Sequence, residues 1–270
     1  MSASPFSRVV RSISCSGAPR AFRGRGGKLN RRRTPCNLRP LDSATRRQLS
    51  LVPPPRHWLT SGGPGATRQS VSFDLETIRQ RLRTREAKKQ ATTTTNRRAA
   101  VAAILRPSGL DTEVLLIRRA NRPGDPWSGH MAFPGGHHEP VDADLRETAV
   151  RETLEEVGLD LRAHEYLGQL DEVAAMARGR AVGMTIAPHV FAVSDAPLVL
   201  RPNDEVAELL WGSLGRMFRG EVDAVKEISY GGETRHLPAF LVQEQLVWGM
   251  THGMLRSLFA LLAEDVVASS

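Results

Sequence analysis

The chain has 270 residues, 40% hydrophobic and 24% charged, with a formal net charge of +8, a composition that suits a globular fold. Its two cysteines, Cys15 and Cys36, lie near the N-terminus, so the rest can hold no disulfide framework, thiolate metal site or cysteine nucleophile. No apolar run approaches the ~20 residues needed to span a membrane; the longest, Ala99–Leu105 and Leu258–Ala263, read as a core strand and a core helix.

Residues 1–70 hold fourteen Lys/Arg and one acid, Asp42, which leaves 23 basic against 28 acidic residues for the remainder. The positive charge is therefore local, and the mildly acidic remainder argues against a nucleic-acid surface. The stretch Phe6 to Ile13 can form a basic amphipathic helix, and the leader lacks a secretory h-region. It reads as a disordered transit peptide, mitochondrial (matrix) before chloroplast. The alternative is a basic arm on a cytoplasmic protein that binds an anionic polymer such as RNA.

Asp74 to Lys89 predicts an amphipathic helix with Leu75, Ile78 and Leu82 on its apolar face. Residues 91–96, Ala-Thr-Thr-Thr-Thr-Asn, read as a linker, so 71–95 forms a helix and linker ahead of a domain at 96–266. Ala99–Leu105 and Glu113–Arg118 flank turn chemistry at Pro107–Asp111 and predict a hairpin. Arg118, Arg119 and Arg122 follow. Arginines at a strand end can clamp a diphosphate through paired N–H donors, although each taken alone reads better as an exposed strand-end charge. Trp127, in the next loop, suits stacking on an adenine or simple cover of the core.

Met131 runs into Phe133-Pro134-Gly135-Gly136, where glycines let the backbone approach a ligand closely. His137 and His138 read as loop polars. After Pro140 a helix is predicted, with Asp142 as N-cap, Asp144 in the first turn, Ala143, Val150, Leu154 and Val157 as apolar stripe and Gly158 as C-cap. Glu152, Glu155 and Glu156 fall at i, i+3 and i+4 on one face of that helix. Two of them lie in the last turn, where the dipole makes each acid unfavourable by about 0.3–1 kcal/mol. A hard divalent cation, Mg²⁺ or Mn²⁺, would relieve that crowding; the other explanation is a solvated face held by the pairs Glu147–Arg151 and Arg151–Glu155.

Tyr166–Val173 and Thr185–Val193 read as strands joined by a mobile loop, residues 174–183. Pro202-Asn203-Asp204 is expected to open a helix from Glu205 to Leu214. Ala224–Tyr230 and His236–Leu241 predict a hairpin about Gly231-Gly232, and Trp248–Leu262 a closing core helix. Hairpins mixed with helices imply a mixed sheet packed between helices rather than a doubly wound parallel fold.

The stretch from Phe133 to Leu159 resembles the Nudix box. Gly136, Arg151, Glu152, Glu155, Glu156, Gly158 and Leu159 match its pattern. Asp142 stands where the family writes Glu, the gap to Arg151 is one residue longer, and Thr153 replaces an aliphatic. The longer spacing, the Phe-Pro-Gly-Gly, Leu115–Arg119 and Val247–Thr251 look like the coenzyme A diphosphatase branch. Trp127, Ser128, Gly129 and His130 depart from the His-x-Gly-Gln that the branch places there. The resemblance implies an α/β Nudix sandwich (α/β/α, with a mixed β-sheet) and a metal-dependent hydrolase holding Mg²⁺ or Mn²⁺ on Glu152, Glu155 and Glu156. Arg151 would orient the carboxylates. Glu152 or Glu155 could double as base, and a further acid would come from Glu205, with Asp204 second, unless those two merely cap a helix. Arg119, ahead of Arg118, with Gly135 and Gly136 would bind substrate. That substrate would be coenzyme A or acyl-CoA, cleaved to 3′,5′-ADP and (acyl-)4′-phosphopantetheine. The alternatives are ADP-ribose, NADH or a nucleotide sugar, or a non-catalytic nucleotide-binding module.

Overall fold

A computed structural model describes residues 73–90, 97–177, 179–194, 196–230 and 233–268. The basic leader, the linker at 91–96 and Gly231-Gly232 lie outside the described residues. In chain order the elements are α1 (Leu75–Arg83), β1 (Arg97–Ser108), β2 (Asp111–Arg119), β3 (Met131–Ala132), β4 (Gly135–His137) and α2 (Leu145–Val157). There follow β5 (Glu165–Gln169), β6 (Val173–Ala177), β7 (Arg180–Ala192), β8 (Val206–Ser213), α3 (Leu214–Phe218), β9 (Asp223–Tyr230), β10 (Glu233–Val242), β11 (Gln245–Trp248) and α4 (Gly249–Ala268).

The expected β1–β2 hairpin forms, with Leu105 opposite Val114. Along its other side β1 runs parallel to β7, Arg97 to Leu105 beside Met184 to Ala192. The main sheet has the order β3-β2-β1-β7-β5, with β8 on β2, β4 on β1 and β6 on β7; β11-β10-β9 makes a second sheet. One parallel pair among antiparallel ones makes the sheet mixed.

Strand alternation turns β1 into the partition of the core. Ala103 and Leu105 pack with Val114 and Leu116 of β2 against α1, α3 and α4. Ala100, Ala102 and Ile104 face the other way and pack with Leu115 and Ile117 against Ala149, Val150 and Val157 of α2. Helices thus cover both faces of the sheet, each buried Leu or Ile contributing about 1.5–3 kcal/mol.

α1 is shorter than its sequence suggests. Asp74 caps it by accepting from the Thr77 N–H, and Ile78 and Leu82 are buried in the same cluster as α4. Beyond Leu82 the sequence offers little apolar surface to continue the buried stripe. The chain instead runs beside the β5–β6 connection, where the Lys88 N–H donates to Asp171 Oδ1 at 2.8 Å and the Gln90 N–H to Glu172 Oε2 at 2.9 Å.

Two expected elements are corrected. Residues 174–183 are not a loop overall: most of them belong to β6 and β7, paired antiparallel through Ala174↔Thr185 and Ala177↔Arg180. Glu205 to Leu214 is not a helix: Val206–Ser213 is β8, paired antiparallel with β2 from Glu113↔Ser213 to Arg119↔Val206. A short apolar run such as Leu209-Leu210-Trp211 fits either period, and the free edge of β2 decides it. At the C-terminus Trp248 ends β11, so α4 begins one residue later, at Gly249.

Candidate active site

The site grows from the start of α2. Asp144, not Asp142, is the N-cap, its Oδ1 accepting from the Glu147 N–H at 2.9 Å. Ala143 consequently lies outside the helix and is exposed, while Val150 and Val157 are buried and Leu154 is partly exposed. Gly158 closes the helix at φ +70°, its N–H donating to the Leu154 carbonyl, the left-handed cap that glycine adopts without Cβ strain.

Freed from capping, Asp142 clamps Arg151. Nε donates to Asp142 Oδ1 at 2.8 Å and Nη2 to Oδ2 at 3.1 Å. This fork holds the Asp142 carboxyl well below the usual carboxylate range. Thr148, fully buried, donates to Asp142 Oδ2 at 2.9 Å and meets His138 Nδ1 at 2.9 Å. Arg151 then spans the acids: Nη1 lies 3.0 Å from Glu152 Oε1 and 3.3 Å from Glu155 Oε2, and Nη2 donates to the His137 carbonyl at 3.0 Å. The expected Arg151–Glu155 pair forms. The expected Glu147–Arg151 pair does not, because Glu147 turns to Arg162 at 2.9 Å and Arg151 is occupied by Asp142.

The three glutamates differ in depth. Glu155 is exposed, Glu152 half-buried and Glu156 buried. Burial pushes the Glu156 carboxyl up to about 7, opposed by the Gly135 N–H that donates to Oε2 at 2.9 Å and by the Arg119 charge, and assisted by the charges of Glu152 and Glu205. Burial also raises Glu152, against the pull of Arg151 and with the push of Glu155 and Glu205. Gly136 lies so close that an added Cβ would sit 2.4 Å from Glu152 Oε1. Gly135, at φ +148°, presses on β1, where a Cβ would come within 2.2 Å of the Ala100 carbonyl oxygen. The close approach expected of these glycines is therefore made to the protein itself, which is what brings β4 against the acidic face.

Glu205 reaches the cluster by another route. The Arg201 N–H donates to the Val157 carbonyl at 2.8 Å and the Asn203 N–H to the Glu156 carbonyl at 2.9 Å, so the loop is fastened to the end of α2. Asn203 Oδ1 accepts from the Glu205 N–H at 2.8 Å, the predicted capping contact, although a strand follows instead of a helix. Glu205 Oε1 pairs with Arg122 at 3.1 Å. Arg119 bonds Asp125 Oδ2 at 2.9 Å and keeps its buried Nε without a hydrogen-bond partner. Arg118 pairs instead with Glu208 at 3.1 Å. Trp127 donates from Nε1 to the Met176 carbonyl at 3.0 Å and packs against the cluster of Ala99, Ala175, Met184 and Ile186, which makes it cover for a small apolar cluster. Two positioning contacts were not anticipated. Asp125 as the partner of Arg119 left no signal beyond a turn-forming Asp. The Asp142–Arg151 fork is visible in the sequence only as an acid displaced from the usual spacing.

The donor chemistry of Glu152, Glu155 and Glu156 fits a hard divalent cation: all are carboxylate oxygens, and two are raised by burial and mutual repulsion, which a cation would reverse. Arg151 at present occupies two of them, and among the described residues no three acidic or histidine side chains already converge as a ligand group. Holding an ion requires Glu152 and Glu155 to exchange the guanidinium for it.

Comparison with known proteins identifies the family. A NUDIX domain model matches residues 95–228. A mouse (Mus musculus) protein described as mitochondrial coenzyme A diphosphatase NUDT8 is 33% identical over 187 residues, 67% of this chain and 87% of that one. The human (Homo sapiens) protein of the same description is 32% identical over 189 residues, 67% of this chain and 78% of that one. An uncharacterized protein of Schizosaccharomyces pombe is 41% identical over 112 residues, 40% of this chain but only 34% of its own length. With the domain matched and two relatives aligned across most of their length, the chain belongs to the Nudix hydrolase family.

Proposed function

We propose that this hydrolase cleaves the diphosphate of coenzyme A or an acyl-CoA, giving 3′,5′-ADP and (acyl-)4′-phosphopantetheine. The observation that carries the proposal is the buried Glu156 beside half-buried Glu152, facing Gly135-Gly136 with the unpartnered Arg119 Nε close by. A diphosphate would bring the acceptor oxygen that Arg119 Nε lacks. The relatives described as mitochondrial coenzyme A diphosphatases support the choice of substrate.

Glu152, Glu155 and Glu156 would hold Mg²⁺ or Mn²⁺, which supplies neutralisation of phosphate charge and a more acidic bound water. The chain's own residues do the rest. Asp142 fixes the guanidinium of Arg151, and Arg151 bridges Glu152 and Glu155 through Nη1 and screens their repulsion. The Gly135 N–H holds one Glu156 oxygen in place. Arg119 binds a non-bridging phosphate oxygen and is itself aimed by Asp125. Positioning and charge stabilisation of this kind provide most of the acceleration in phosphoryl chemistry. The proton of the attacking water goes to Glu152 or Glu155, with Glu205 as the further acid.

Trp127 to His130 favour a second substrate class, another nucleoside diphosphate derivative such as ADP-ribose, NADH or a nucleotide sugar, because they replace the branch's usual His and Gln. Mg²⁺-dependent turnover of coenzyme A, ADP-ribose and NADH, measured side by side, decides between the two. Cleavage of ADP-ribose with coenzyme A untouched would overturn the first. The basic leader, taken with the mitochondrial descriptions of the relatives, leads us to place the mature enzyme in the mitochondrial matrix. N-terminal sequencing of protein from its native source tests that placement, and a start at Met1 or Ser2 would refute it.

A further inference from the structure

His130 and Trp248 pack against each other, their ring centroids 4.5 Å apart and their planes tilted by 52°. His130 ends the loop that begins at Arg119, and its carbonyl accepts from the Arg119 N–H at 3.0 Å. Trp248 ends β11. Lys226 comes from β9, two strands away in the second sheet, and its Nζ lies 5.9 Å from the Trp248 ring centroid. The three groups come from separate parts of the chain and meet beside Arg119.

Lys226 is half-buried and makes no ion pair among the described residues. The arginines of β2 and the following loop are ion-paired: Arg119 to Asp125, Arg122 to Glu205 and Arg118 to Glu208. The His130 imidazole feels both Lys226 and Arg119, and burial together with those charges lowers its pKa, with Asp125 opposing. The surroundings of His130 therefore disfavour its charged form. A half-buried ammonium with no anion partner, standing on an aromatic shelf next to a phosphate-binding arginine, is arranged to receive a second anionic group on the same ligand. A cation–π contact with Trp248 satisfies part of the ammonium and leaves its N–H donors available.

We infer that Lys226 selects substrates whose nucleoside half carries a phosphomonoester in addition to the diphosphate that is cleaved, with His130 and Trp248 as the shelf for the base. The inference rests on the coenzyme A proposal, since coenzyme A has such a group on its adenosine ribose and ADP-ribose does not. Lys226 is then a specificity residue that touches the part of the ligand remote from the reacting phosphorus.

The test compares coenzyme A with dephospho-coenzyme A on the full chain and on Lys226→Met and Lys226→Arg variants. In wild type, coenzyme A has the higher kcat/KM. In Lys226→Met the ratio of the two kcat/KM values falls at least tenfold, mainly through the KM for coenzyme A, and Lys226→Arg restores most of it. Product inhibition follows the same line: 3′,5′-ADP weakens about tenfold in Lys226→Met, and 5′-AMP does not. An unchanged ratio, or equal losses on both substrates, overturns the role of Lys226 and leaves the coenzyme A proposal standing. If wild type cleaves neither while hydrolysing ADP-ribose, the substrate proposal fails and this inference with it.

Discussion

Glu156 combines two properties that separate it from its neighbours: its side chain is buried, and its carboxylate accepts from the backbone N–H of Gly135. Glu156→Gln keeps the volume and removes the charge. It is expected to reduce kcat/KM by at least ~10²-fold, the scale of losing a preorganised charged group, with the denaturation midpoint retained; unchanged steady-state rates would remove Glu156 from the site. Arg119 makes a different claim. Arg119→Lys keeps a charge but loses the fork, so KM should rise about tenfold or more, in line with ~1.5–3 kcal/mol for a charge-assisted bond. At this scale the sequence was informative about which residues are acidic and on one face, because helical spacing alone fixes that. It was silent on their depth, since burial of Glu156 depends on how closely Gly135 lets β4 approach β1.

Among the elements, the two glycines of β4 give opposite tests. At Gly136 an added methyl meets only the far end of the Glu152 side chain, which can swing aside. Gly136→Ala should therefore fold normally, with kcat reduced because Glu152 is displaced. At Gly135 the methyl meets β1 backbone at a positive φ, and neither can yield. Gly135→Ala should lower Tm by several degrees before any question of rate; thermal melts beside single-turnover rates on both variants would show the contrast. The misread elements have similar causes. β8 was taken for a helix because its apolar run is short and its partner β2 is some ninety residues away in sequence, a contact no local pattern reports. Asp142 looked like the cap because it follows Pro140, and only the folded loop reveals that Arg151 claims it. The β1–β2 and β9–β10 hairpins were legible because their turns are local and rich in Gly, Pro and Asp.

For the molecule as a whole, α1 belongs to the core, with Phe73, Ile78 and Leu82 packed among residues of α4 and the sheet. A chain starting at residue 91 should lose on the order of 5 kcal/mol relative to one starting at residue 73, at about 1.5–3 kcal/mol per buried apolar side chain; equal urea midpoints would contradict that. Acid sensitivity has a separate source. His189 is buried beside Tyr166, whose Oη lies 3.0 Å from Nδ1, and burial lowers its pKa to about 4. The unfolded chain binds a proton near pH 6.5 that the folded chain refuses, so this contribution to stability is whole above pH 6.5 and drains away as pH falls toward 4. The total is about 3 kcal/mol at ~1.4 kcal/mol per pH unit. His252, also buried with its pKa lowered to about 4, adds in the same direction, and the raised Glu156 carboxyl opposes both, so the check is differential: between pH 7 and 5, urea titrations should show His189→Gln losing less stability than wild type.

The partition made by β1 has a consequence for how this sequence can vary. Between Ala99 and Leu105 most side chains are alanine, so many substitutions by other small residues would be forgiven. A gain or loss of one amino acid would not. The strand beyond that point would rotate half a turn, sending Ile104 toward the α4 layer and Leu105 toward the acidic helix, and every downstream partner on β2 and β7 would meet the wrong face. The segment tolerates editing of its letters and forbids any change in its count.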